Sequence, residues 1–109
     1  MGHLQKIALA TLIALLPCVA AAQELGNAQV GHEYAKKICA GCHEVEPGEP
    51  VSIYPDVPSF QTVADTPGMT ERALAVWLQT SHPNMPNIIV APDDMDNVIA
   101  YITSLRTQR

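Results

Sequence analysis

Cysteine is scarce in this chain: three in 109 residues. Cys18 lies in an apolar run near the amino end, and Cys39 and Cys42 stand close together. A small secreted domain held by disulfides needs several cysteine pairs along its length, so that class is excluded. Basic residues are few as well, six Lys and Arg against eleven Asp and Glu, for a net charge of −5. Nucleic acid and anionic lipid both call for a positive surface, and the acidic balance argues against either as a partner. No alternating apolar–polar run is long enough for a strand, and there is no internal repeat or low-complexity segment. The apolar periods present are helical, and the chain reads as all-α.

The one long apolar run covers residues 7–19, after a short polar start carrying Lys6, and is followed by Ala20, Ala21 and Ala22. Small residues at both specificity positions of a cleavage site mark residues 1–22 as a signal peptide cut after Ala22. The run falls short of the roughly 20 residues that span a bilayer, which leaves a retained anchor as the lesser alternative. Pro17 stands where a lipoprotein signal needs a small residue, so Cys18 is an apolar filler. Cleavage removes Lys6 alone from the charge count and makes the remaining domain more acidic still.

At Cys39-Ala40-Gly41-Cys42-His43, two cysteines with two residues between them are followed at once by histidine, the attachment signature of a covalently bound haem. Residues three and four apart on a helix share a face. Cys39 and Cys42 therefore reach neighbouring vinyl groups of one porphyrin, and His43 turns its imidazole to the iron. Ala40 and Gly41 are small and leave the porphyrin's approach clear. Zinc requires a second pair of Cys or His ligands, and the remaining cysteine lies in the leader. A thioredoxin-like redox pair accompanies a βαβ pattern, and none is present. The motif predicts one covalent haem c held by Cys39, Cys42 and His43. Attachment outside the cytoplasmic membrane agrees with the leader and predicts a periplasmic address.

Residues 23–29 read as a flexible lead-in and residues 30–109 as one haem domain. Val30, Tyr34, Ile38 and Cys39 recur at helical spacing, with Lys36 and Lys37 at the electronegative end of that helix. His32 lies in its first turn, a solvated position ill-placed for iron. Residues 44–68, with Pro47, Pro50, Pro55, Pro58 and Pro67, show no strong period, and a loop of that length needs something to order it. A haem face supplies that support. Ser59 to Ala64 predict a short helical turn with Phe60 and Val63 facing inward. Thr70 caps a helix patterned by Leu74, Trp77 and Leu78 and running to about Ser81, ahead of Pro83. His82-Pro83-Asn84-Met85-Pro86-Asn87 is a rigid loop. Pro92 opens a last helix with Asp93, Asp94 and Asp96 at its start, Arg106 near its end, and Val98, Ile99, Tyr101, Ile102 and Leu105 as its apolar stripe.

On these residues the chain resembles the small class I c-type cytochromes of the bacterial periplasm, which carry their attachment motif near the mature amino end. The resemblance implies an all-α cytochrome c fold, roughly three to five short helices wrapped around one haem. Gly31, eight residues before Cys39, matches a glycine of the family's first helix. Val98 to Ile102 match its last helix, whose aromatic, here Tyr101, covers the crossing. Pro58 resembles the proline whose carbonyl accepts the ring N–H of the proximal histidine, here His43. Met85 resembles the sixth iron ligand, with Met69, Met95 and His82 as competitors. Trp77 matches a tryptophan that hydrogen-bonds a haem propionate, with plain core packing as the other reading.

The implied function is that of a single-electron carrier rather than an enzyme. Its partners would be redox proteins: a dehydrogenase or quinol-oxidising complex as donor, an oxidase or reductase as acceptor. It would be monomeric, with no stable membrane insertion once the leader is cut. The alternative is a dedicated haem subunit of one periplasmic oxidoreductase. A peroxidase or gas sensor would require the sixth ligand to leave.

Overall fold

The computed structural model describes residues 25–81, 85 and 88–107. The predicted leader and His82 lie outside the described residues. Four helices follow in order: α1 (Ala28–Ile38), α2 (Phe60–Asp65), α3 (Glu71–Gln79) and α4 (Pro92–Ser104). Among the described residues there is no strand.

The helices start where their caps stand. Asn27 accepts the Val30 N–H on its side chain at 3.0 Å, so α1 begins ahead of Val30. The backbone N–H of Asn27 also donates to Asn97 Oδ1 at 2.7 Å, which ties the α1 start to α4. Asn27, Ala28 and Gln29 therefore belong to the helix and its cap, not to a loose lead-in. Ser59 caps α2 by accepting from Thr62 N, and Thr70 caps α3 by accepting from Ala73 N. Pro92 opens α4 with Asp93 and Asp94 in its first turn, where they oppose the positive helix end.

Two helix ends differ from expectation. α3 stops at Gln79 rather than near Ser81, because Thr80 is extended (φ −113°, ψ 138°) and its hydroxyl turns back onto the Val76 carbonyl at 2.7 Å. α4 closes at Leu105, beyond which Arg106 leaves the helix axis. The Arg106 guanidinium donates to the Met69 carbonyl. It thus ties the connection between α2 and α3 instead of facing the last carbonyls of α4.

α4 is the central element and packs on α1, α2 and α3. Its buried Val98, Ile99, Tyr101 and Ile102 meet Ala35 of α1, Phe60 and Ala64 of α2, Leu74 of α3, and Val45. The fully buried residues of α1 are Gly31 and Ala35, whereas Val30 and Ile38, two of the four residues at helical spacing, are exposed. The two helices cross closely: a Cβ on Gly31 would stand 1.9 Å from the Asn97 carbonyl oxygen. Gly31 is therefore the position at which α1 comes closest to the α4 backbone, while the larger Tyr34 packs against the core beside it.

The neighbour of Gly31 shares the consequence. His32, expected in solvent, stacks on the Tyr101 ring with centroids 4.4 Å apart and planes 15° from parallel. Its Nε2 lies 3.2 Å from Glu46 Oε1. Tyr101 donates its hydroxyl to the Val45 carbonyl. Burial first, then the nearby Glu46 and Glu44, push the Tyr101 hydroxyl up to about 12, so it stays a donor across the physiological range.

Gly31→Ala is expected to destabilise the holoprotein strongly, because its methyl would meet backbone that cannot rotate away. Overpacking costs about 1–3 kcal/mol and occasionally more, and each kcal/mol lowers Tm by roughly 4–8 °C in a domain this small. Thermal melting of both holoproteins checks it. A Tm unchanged within a degree or two would mean that α1 and α4 are not so closely crossed.

The proline-rich stretch before α2 has hydrogen bonds of its own. Glu44 N–H donates to Ser52 Oγ at 2.9 Å and Gly48 N–H to Gln61 Oε1 at 2.9 Å. Gln61 in turn donates from Nε2 to the Leu105 carbonyl at 2.8 Å. The loop is therefore anchored by protein groups to α2 and α4, a support that its lack of periodicity did not reveal.

Candidate haem site

The attachment motif sits on a turn wound on from the end of α1. Cys39 is the α1 C-cap, with its N–H on the Ala35 carbonyl at 2.8 Å. Its own carbonyl then accepts from Cys42 N at 3.2 Å and His43 N at 3.0 Å. The chain so keeps a helical sense through the motif although α1 has ended, and Gly41 has nothing within 4 Å of where a Cβ would stand. Cys39 is half-buried against the core and Cys42 is exposed; both are free thiols. Burial pushes the Cys39 thiol up to about 11.

His43 is half-buried, and its Nδ1 lies 2.7 Å from the Pro58 carbonyl oxygen. A carbonyl only accepts, so Nδ1 carries the proton and the neutral ring keeps its lone pair on Nε2. The Phe60 ring lies beside the imidazole, centroids 5.4 Å apart and planes at 54°. Phe60 N–H also donates to the Glu44 carbonyl at 2.8 Å. This bond brings the start of α2 back to the motif and sets Pro58 opposite His43.

The donor set fits a covalent haem: two free thiols and an imidazole with one nitrogen pinned and the other a lone-pair donor. Among the described residues, no three His, Cys, Asp or Glu come together as a metal site. The described residues offer one imidazole beside two thiols rather than a cage for a bare ion.

The remaining predicted residues fall in different places. Met85 is half-buried in the segment between α3 and α4. Met69 and Met95 pack against the core, and the Met95 sulfur accepts a hydrogen bond from Gln79 Nε2 at 3.5 Å. Trp77 is 51% exposed on α3, so it is not the core residue that the α3 pattern implied. Two residues around His43 carried no signal as site residues. Phe60 was recognisable only as an inward apolar residue. Ser52 stood out in no way, because its partner Glu44 is eight positions away with no period linking them.

The chain is 38% identical over 104 residues to cytochrome c-552 of Bradyrhizobium diazoefficiens, an alignment that takes in 95% of this chain and 96% of the relative. No protein-family model matches the sequence. No solved structure matches it either.

Proposed function

The chain belongs to the class I c-type cytochromes, and on that premise we propose that it is a periplasmic single-electron carrier with haem c bound through Cys39 and Cys42 and ligated by His43 and Met85. The covalent haem c supplies a one-electron ferric–ferrous couple. The observation that carries the reading is the 2.7 Å contact between His43 Nδ1 and the Pro58 carbonyl. It holds the ring in one orientation and makes Nε2 a more basic donor.

Met85 is favoured as the second ligand for its place in the proline-flanked segment between α3 and α4, whereas Met69 and Met95, half-buried like it, pack against the core. A thioether is a soft donor that favours the ferrous state and raises the potential. An iron held by both the His43 imidazole and the Met85 sulfur would have no coordination position left for a substrate. That favours electron transfer over catalysis. The resemblance gives Trp77 a haem propionate as its partner, and its exposure on α3 agrees with that role better than with core packing. Export rests on the leader, and no helix among the described residues is long and apolar enough to cross a membrane.

The test is purification from the periplasmic fraction followed by redox titration. One reversible one-electron wave, a ferrous form that does not take up carbon monoxide, and a monomer on gel filtration are expected. Ready binding of carbon monoxide would overturn the two-ligand reading. Constant co-elution with one oxidoreductase would identify a dedicated haem subunit instead of a free carrier.

A further inference from the structure

Residues 51–53 present an inversion of ordinary burial. Val51 is 73% exposed and Ile53 is 75% exposed, while Ser52 between them is 7% exposed. Aliphatic side chains normally take the inside and serine the outside, so some polar group must require the hydroxyl there. The other buried serine, Ser59, is accounted for as the cap of α2. Ser52 caps no helix. Its Oγ accepts the N–H of Glu44 at 2.9 Å, and the carbonyl of the same Glu44 accepts Phe60 N–H at 2.8 Å. The residue that follows His43 is thus held at both its N–H and its C=O.

We infer that Ser52 is a positioning residue for the iron ligand: it fixes Glu44 so that His43 keeps its Nδ1–H on the Pro58 carbonyl. The inference rests on His43 being the axial imidazole. Two anchors lie on the Glu44 backbone and one on the His43 ring, and together they close the loop from the motif to Pro58. Phe60 contributes through its backbone, so Ser52 supplies the side chain that holds the Glu44 backbone. Without the hydroxyl, the Glu44 N–H loses its acceptor and the His43 backbone gains freedom to turn. The Nδ1–H···O=C bond then weakens, Nε2 becomes less basic, and the ferric state loses part of its stabilisation.

The experiment compares Ser52→Ala and Ser52→Thr with the wild-type holoprotein. The readouts are the reduction potential, Tm and the His43 Nδ1–H signal in NMR spectra of the ferrous state. Ser52→Ala is expected to raise the potential by about a threefold change in the redox equilibrium constant, roughly 30 mV for one electron. Its Nδ1–H should exchange faster with solvent. Ser52→Thr, which keeps an acceptor, is expected to match the wild type in both. A lower Tm with an unmoved potential and Nδ1–H signal would make Ser52 merely structural and overturn the inference, as would equal shifts in both variants. If Ser52→Ala yields no holoprotein, the wild-type Glu44 amide and Ser52→Thr decide together. Slow amide exchange with an unmoved potential in Ser52→Thr upholds the inference, and either fast exchange or a shifted potential ends it. Failure of the underlying assignment would look different: the His43 ring signals of the wild type would lack the ring-current shift of an axial ligand.

Discussion

Met85→Ala is expected to lower the reduction potential and to let the ferrous protein bind carbon monoxide. The substitution removes a soft sulfur donor and leaves the His43–Pro58 bond and both thioethers in place. Axial ligand identity spreads haem potentials over about 0.8 V, so the change of one ligand is expected on the order of 100 mV, about 2.3 kcal/mol per electron. Met69→Ala and Met95→Ala should behave differently. Both side chains pack against the core, and truncation there costs roughly 2–5 kcal/mol of stability. Their partial burial puts them toward the lower end, with the potential unchanged. A redox titration and carbon monoxide difference spectra on all three variants make the comparison. An unmoved potential and a closed sixth position in Met85→Ala would place the ligand elsewhere and reopen the assignment of this segment.

The double replacement Cys39→Ala/Cys42→Ala is expected to abolish covalent haem altogether, an all-or-none effect visible by haem staining after denaturing electrophoresis. The two sulfurs are not equivalent in their surroundings. Cys39 is half-buried against the core and Cys42 is exposed. Each single variant should keep one thioether at most, but Cys39→Ala should also loosen the packing at the end of α1, and Cys42→Ala should not. The difference is read as the Tm of whatever holoprotein each single variant yields. A double variant that still stains would rule out attachment through these sulfurs.

Much of this organisation could be read in advance because it depends on neighbours in the chain. The two-residue spacing of Cys39 and Cys42 sets one turn of backbone. Thr70 and Pro92 mark helix starts through groups three residues away or less. Gly31 was recognisable through the resemblance, and its reason is now physical: a backbone carbonyl of α4 fills the space of its side chain. What escaped was decided across the fold. Asn27 starts α1 early because Asn97 holds it from α4, and His32 leaves solvent because Tyr101 offers a ring to stack on.

From the sequence alone, the all-α class and the covalent haem c followed, and Cys39, Cys42 and His43 stood out as its candidate holders, since local spacing and the chemistry of sulfur and imidazole mark them. Only the tertiary structure decided that Val30 and Ile38 face outward, that Trp77 is exposed, that Arg106 ties down Met69, and that Ser52 turns inward to hold Glu44. Those outcomes depend on how the helices and the proline-rich loop pack on one another. Such contacts join residues far apart in the chain, and no local pattern encodes their partners.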